Sequence, residues 1–502
     1  MLGSTPLRVI FVASALVLGA GCDDAPANPD GSVTPPADGS TVRPDGAPPG
    51  DDGGRDPDGG GPIDPDGGTP MPTPAACDAR TAEIVAATGE TITVSPAGDG
   101  MVSVEGGGNR TLRQVVSDAA EGTTILLQDG TYTLPETSGG NYTGLYFRTP
   151  NVTLRSASGD PTAVIIDSAY RDHNGSTASI TIDAPGVVLS GFTVQRSIFH
   201  LVHLWANGDD VLIHDVHLVD GGQQFLKASP GGDQRVDGVE VSCSQFRMTE
   251  AGRDNAWGYG PRDGNTACYT GGIDTHDARD WHVHDSYFEG IYCNRGGVER
   301  PAHGKLPGQR GGMTYTGGLS EHAIHMWDSE SGSGHLIERN HIVNCARGIG
   351  LGFRAEVYGT VIRNNMIWSD RSAGGEHDVG IELQRAHDSQ VINNTVFFAS
   401  SDPYPNAIEY RYDTTSGLSI QNNLVNQQIR SRNGASATLG GNVTDAEASW
   451  FVDASAGDLH LASCDVAAVV GAGEPVSDVT DDIDGEPRGA ANDVGADDCA
   501  AD

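Results

Sequence analysis

Eight short stretches of this chain alternate apolar and polar residues between Gly, Asn or Asp: VVLSGFTV, VLIHDVHL, VEVSCSQF, WHVHDSYF, HLIERNHI, TVIRNNMI, QVINNTVF and LSIQNNLV. One apolar position tracked through them falls at Leu189, Ile213, Val241, Val283, Ile337, Ile362, Ile392 and Ile420, at intervals of 24, 28, 42, 54, 25, 30 and 28 residues. A single stretch of this kind has no core of its own. Stacked copies bury a continuous apolar face, and turn insertions lengthen individual coils without disturbing the stack. The pattern therefore predicts a parallel β-helix. Leucine-rich repeats need consensus leucines and a fixed period, and propeller blades need four longer strands. The pairs Asn364-Asn365, Asn393-Asn394 and Asn422-Asn423 fall between adjacent strands. There a side-chain amide tolerates left-handed backbone and can ladder with the next coil.

Before the repeats, TLRQVVSDAA (111–120) reads as a short amphipathic helix with Thr111 as N-cap, followed by the strand and turn GTTILLQDGTY (122–132). This pair resembles the entrance of right-handed β-helices, where a helix covers the open end of the first coil and shields its core and strand edges.

A second column repeats as VHLW, LKAS, IDTH, IHMW, IGLG, IELQ and IEYR. Alternation turns the first and third residues inward. One outward row then holds His203, Lys227, Asp274, His325, Gly350, Glu382 and Glu409; a parallel row holds Trp205, Ser229, His276, Trp327, Gly352, Gln384 and Arg411. Neighbouring coils lie about 4.8 Å apart, so these side chains can meet. Asp274, His276 and His325 could ligate a divalent metal, or Asp274 could orient a histidine base. Glu382 and Glu409 could bind calcium or act as an acid/base pair. Lys227 is a candidate proton-abstracting base, and the two glycines leave room for a ligand. The long intervals place insertions at about 247–272 and 291–320, rich in Tyr, Trp, Arg, His and Gly and suited to sugar rings.

The formal charge of -38 excludes a nucleic-acid surface, which needs a basic footprint. Part of the excess is local: residues 23–70 hold eleven aspartates and two arginines. With dense Pro and Gly, segment 22–76 cannot pack a core and reads as a disordered tether. Ahead of it, Arg8, the apolar run Val9 to Leu18, and Gly19-Ala20-Gly21 before Cys22 resemble a bacterial lipoprotein signal (1–21), which implies lipidation at Cys22. The resemblance implies export and a lipid anchor in the cell envelope, at the outer membrane or cell surface. Export makes disulfides plausible among the other seven cysteines. Cys464 with Cys499 is one expectation, and Cys268 with either Cys243 or Cys293 another.

GQQFLKAS (222–229), GGIDTH (271–276), DWHV (280–283), AIHMWD (323–328) and NAIEYR (406–411) together resemble bacterial β-helix proteins similar to polysaccharide lyases of the pectate lyase, chondroitinase B and alginate lyase type. The resemblance covers roughly residues 105–500. It implies an all-β fold, a single-stranded right-handed parallel β-helix of the pectin lyase-like type with an N-terminal capping helix. The β-helix is expected over 77–460, with a closing segment over 461–502 whose DGEPR (484–488) and DVGAD (493–497) resemble the ending of exported β-helix proteins. The implied activity is β-elimination on a uronic-acid glycan, in which Lys227 and Arg411 would fill the base and arginine roles; His276 and His325 of the residue cluster are the further catalytic candidates. Trp205, Asp274, Trp327 and Gln384 would bind substrate, and Glu382 and Glu409 would hold Ca2+. The alternatives are a non-catalytic glycan-binding protein of the envelope, or a hydrolase or epimerase on the same scaffold. The expected partner is an acidic or neutral polysaccharide, the expected membrane contact is the lipid anchor alone, and the expected state is a monomer.

Overall fold

The first two alternating stretches lie in continuous ten-residue strands, Val188–Ser197 and Leu212–Gly221, the later six each form a pair of short strands, and all hydrogen-bond in parallel to their counterparts in the next coil. The computed structural model describes residues 75–499 apart from 87–88, 99, 138–140, 172, 174–177, 232–233, 256–269, 293–298, 301–312, 315–318, 329–332, 354, 374–376, 478 and 490. The signal, Cys22, the tether up to residue 74, Cys268, Cys293 and most of both insertions lie outside the described residues. The fold is a β-solenoid, or β-helix-like stack, with large parallel sheets. The second column forms a ten-stranded sheet running from Leu145–Phe147 through Gln224–Ala228, Gly271–His276, His322–Asp328, Arg347–Leu351, Ile381–Gln384 and Asn406–Arg411 to Gln428–Arg432.

The tracked apolar column is buried throughout and, apart from Ile392, belongs to one cluster extending from Val94 to Ala435. One position differs from expectation. Ile362 pairs with Val391, and Val391 with Ile420. Ile392 lies in register with Arg363 and Gln421 on the opposite face. Both residues are apolar and both are buried, so alternation alone did not separate them.

The bend between paired strands is built by the asparagines. The first of each pair takes a left-handed backbone, with φ of 52° at Asn364, 52° at Asn393 and 55° at Asn422. The second forms the ladder. Asn340 donates to Asn365 (3.0 Å), Asn365 to Asn394 (2.9 Å), Asn394 to Asn423 (3.0 Å) and Asn423 to Asn442 (2.9 Å). Each rung amide also donates to backbone carbonyls, as Asn394 does to Ile362 and Ile392.

At the amino end, helix α2 (Leu112–Asp118; α1 is Ala75–Ala86) carries the expected cap. Thr111 Oγ1 accepts from Gln114 N–H, and the Gln114 side chain accepts in return from Thr111 N–H. The helix buries Leu112, Val115 and Val116 in the same core. Helix α1 begins inside the segment expected to be tether. It is fastened to the outer flank by Arg80–Glu240 (2.7 Å), by Thr81 to His214 (2.9 Å), and by a disulfide from Cys77 to Cys243. That disulfide replaces the Cys243–Cys268 option; the 166-residue separation hides it from local reading. Cys464 pairs with Cys499 as expected, and Cys345 is free and buried.

The closing segment runs along the flank of the later coils. The left-handed asparagines donate to its carbonyls: Asn364 to Asp481, Asn393 to Asp493 and Asn422 to Glu474, each at 2.8 Å. A second apolar cluster joins Trp368, Phe397 and Leu424 of the coils to Phe451 and Leu459 just ahead of the segment and to Ile483 and Val494 within it. His460 lies between Asp458 (2.6 Å) and Asp484 (3.3 Å), near Asp497 and the His341 ring. Burial lowers its pKa, but these carboxylates outweigh burial and raise it to about 9.

Two outcomes follow. Asn394→Ala orphans its rung neighbours, and each buried group left unpaired costs about 1–3 kcal/mol; thermal unfolding should show a clear drop, smaller for the end rung Asn442→Ala. The His460 contribution is present below an unfolded pKa of about 6.5 and is lost as pH rises through the folded value of about 9. Stability should decline across that window by about 3 kcal/mol, and His460→Gln should flatten the slope.

Candidate functional site

The outward row of the ten-stranded sheet forms in the expected register: His203 opposite Lys227, Lys227 opposite Asp274, Asp274 opposite His325, Gly350 opposite Glu382, and Glu382 opposite Glu409. The side chains point away from the core, yet most are less than a tenth exposed, including Lys227 (6%), Asp274 (3%), His325 (6%) and Glu409 (1%).

Asp274 is the hub. One oxygen contacts the Lys227 ammonium and lies 3.4 Å from His276 Nε2; the other is 3.2 Å from His325 Nδ1. His325 Nε2 lies 2.8 Å from the Gly352 carbonyl, to which it donates. Burial alone would raise the Asp274 pKa, but Lys227, His276 and His325 hold it well below the usual carboxylate range. Burial and Lys227 push His276 down, against the pull of Asp274, which favours the neutral imidazole. Burial also opposes charge on His325, but its bond to Asp274 wins and the pKa rises. A bulge re-aims Trp327: His276 pairs with Asp328, so Trp327 has no partner in the register. Its indole meets His276 edge-on at 4.2 Å, lies parallel to His325 at 5.8 Å, and has Lys227 Nζ 6.0 Å from a ring centre.

A second block lies further along. Glu382 accepts from Gln384 (2.6 Å) and Arg411 (3.2 Å), while Glu409 accepts from Asn406 (2.6 Å), Arg432 (3.0 Å) and Tyr404 (3.2 Å). Arg411 Nε is also 3.4 Å from Glu409. Calcium takes six to eight oxygen ligands. Both oxygens of Glu409 and Oε1 of Glu382 already face a cation or a hydrogen-bond donor, so calcium would have to displace a guanidinium from each carboxylate. The residues do not fit it. Lys227 and Arg411 are separated by five coil steps, about 24 Å at the spacing of parallel strands, so the two cannot act on one sugar ring.

The space above Gly350, expected to be open to a ligand, is filled by His322, a residue that alternation did not select. A Cβ on Gly350 would fall 2.6 Å from His322 Nε2. His322 lies 3.4 Å from Glu382 and 4.6 Å, ring to ring, from His325, and so bridges the two blocks. Three steps along a strand normally reverse the face; the parity breaks where the chain turns into the strand, and the pair of histidines in EHAIHMW was the only signal. Glu321, His322 and His325 each bring one donor atom within 4.8 Å of the others, a cluster that could coordinate a divalent cation. At the opposite end of the row, Trp205 is 41% exposed and packs on His203 at 4.6 Å.

No protein-family model matches the sequence, and no match to a curated protein reaches significance. Among solved structures, the pectate lyase Pel9A matches with a TM-score of 0.54 at 16% identity, over 82% of this chain and 96% of that one. A lacto-N-biosidase from Eubacterium ramulus matches with a TM-score of 0.43 at 10% identity, over 73% and 68% of the two chains. An alginate lyase from Paenibacillus sp. str. FPU-7 gives 0.31 at 14%, over 63% and 97%. At these identities the likeness speaks to the fold alone, and the first match carries it.

The hub makes a stability prediction. Removing one partner of a buried ion pair leaves an uncompensated charge and costs about 3–5 kcal/mol, whereas replacing both by apolar groups is often neutral. Lys227→Met and Asp274→Leu should each lower the unfolding midpoint, and the double variant should recover most of the loss.

Proposed function

We propose that this chain processes a uronic-acid-containing polysaccharide outside the cytoplasm by β-elimination, on the outward face of the ten-stranded sheet. The observation that carries the reading is the convergence of Lys227, His276 and His325 on one carboxylate, Asp274, in successive coils beside the Trp327 indole. β-Elimination needs a base for the proton next to the uronate carboxylate and positive charge where the enediolate develops. His276 is the base in this reading: its side chain is 31% exposed, is kept neutral by burial and Lys227, and is oriented by Asp274. Lys227 and His325 supply the cationic character around the carboxylate. Gln384 and Arg411, four and five coils from Lys227, belong to the binding of a distant part of the glycan, and Trp205 to stacking at the near end. The scaffold is read as a right-handed, single-stranded coil, following the hand that parallel crossover connections take. Its residues 77–460 carry the site, residues 461–502 close it, and an N-terminal lipid on Cys22 and the 22–76 tether hold it at the envelope. Among the described residues no helix is long and apolar enough to cross a membrane.

A second reading, a non-catalytic glycan-binding protein, is favoured by the burial of Lys227, Asp274 and His325 and the exposure of Trp205.

The test is ultraviolet absorbance of the unsaturated uronate product when the full chain is mixed with alginate, pectate and chondroitin. A rise with one of them, reduced about 10²–10⁴-fold in kcat by His276→Ala as for loss of a general base, is expected. Trp205→Ala should raise KM with kcat unchanged, the mark of lost uniform binding. A flat trace on every uronate glycan, alongside glycan binding that Trp205→Ala weakens, would replace the first reading with the second.

A further inference from the structure

His322 is an unusual buried side chain. It is 6% exposed, and neither ring nitrogen has a hydrogen-bond partner. A buried polar group without a partner costs about 1–3 kcal/mol, so a histidine held there without a ligand destabilises the coil that carries it. Its nearest polar neighbours are Glu382, 3.4 Å from Nε2, and the donor atoms of Glu321 and His325 within 4.8 Å. Gly350 supplies the room for the ring, since a Cβ there would collide with it.

We propose that Glu321, His322 and His325 bind a first-row transition-metal ion of the zinc class. Two imidazoles and one carboxylate form the borderline donor set that such ions prefer, whereas calcium prefers oxygen alone. The surroundings supply the outer partners that metal-bound histidines need. His325 Nε2 is anchored to the Gly352 carbonyl at 2.8 Å, and Glu382 stands beside His322. Coordination through the other His325 nitrogen replaces its longer 3.2 Å contact with Asp274 and leaves the Gly352 anchor intact. Three protein ligands leave a position for water or a substrate oxygen, as in zinc sites that do chemistry. The site stands on its donor set; with the cation bound, the metal and Lys227, rather than His325, would supply the positive charge of the elimination reading.

The experiment uses the untagged full chain, stripped with chelator and titrated with Zn2+ by calorimetry, with metal content measured after gel filtration. One zinc per chain is expected, with no competition from excess Ca2+. His322→Ala and Glu321→Gln should each weaken binding by about 10–100-fold or more, the range seen when even an outer partner is lost. Substoichiometric zinc in the parent chain, displacement by calcium, or undiminished binding in the two variants would overturn the proposal. If His322→Ala fails to fold, as judged by circular dichroism, Glu321→Gln decides, because its side chain is only partly buried. Since no substrate is present, a negative lyase assay and a negative zinc titration remain separate results.

Discussion

The rung of buried asparagines is the interaction on which the rest of this structure depends. Backbone pairing between parallel strands does not by itself choose a register, because a slip leaves the hydrogen-bond pattern nearly unchanged. The ladder from Asn340 to Asn442 removes that freedom. Each rung accepts from the rung before it and donates to the rung after it, and Asn365, Asn394 and Asn423 also bond two carbonyls each. A one-residue slip would strand the set in the core, where an unpaired amide is expensive. Serines continue the pattern earlier: Ser244 N–H donates to Ser286 Oγ, and Ser286 N–H to the Asn340 amide oxygen. With the register locked there, Lys227, Asp274 and His325 are held in line on another sheet of the same coils, away from any rung.

That alignment explains how charged residues persist where water is largely excluded. Asp274 is tolerable only because Lys227, His276 and His325 surround it, and Glu409 only because Arg411, Arg432, Asn406 and Tyr404 do. Such networks add little net stability over apolar packing, but they penalise any arrangement that breaks a pair. The sheet is therefore stiff along its row of functional groups, which suits a site whose side chains must be oriented before the ligand arrives.

Much of this was legible in the sequence, and the reasons differ by element. Alternation and the Asn pairs revealed the stacked coils because both are local signals with a fixed offset. The outward row from His203 to Glu409 followed from the same alternation. Alternation failed where its assumption failed. At Val391 and Ile392 two adjacent apolar residues left the phase undecided. At His322 the face changes at the mouth of the strand, so a residue three before His325 shares its side. Cys77 to Cys243 was invisible because the partner sits on a helix that only the folded flank brings near. The saturation of Glu409 depends on Asn406 and Arg432, the latter in a strand outside the recognised repeats, and spacing within the repeats could not anticipate it.

The net charge also bears on how the face could recognise a polyanion. At -38 the chain repels an acidic polymer at long range, which slows rather than aids encounter. Screening confines that repulsion to about 8–10 Å at moderate salt, so recognition must come from groups in contact. Along the row the cations are matched to anions almost one for one: Lys227 with Asp274, Arg411 with Glu382, Arg432 with Glu409. A uronate carboxylate entering the face would compete with these fixed carboxylates for the same cations, and would gain only where the protein's own pairing is incomplete. It is incomplete at His276 Nε2 and Arg411 Nε, and also at His322, flanked by Glu321, His325 and Glu382. A cation held there would change the local sign of the field between the two paired blocks, on the face proposed to receive the acidic ligand.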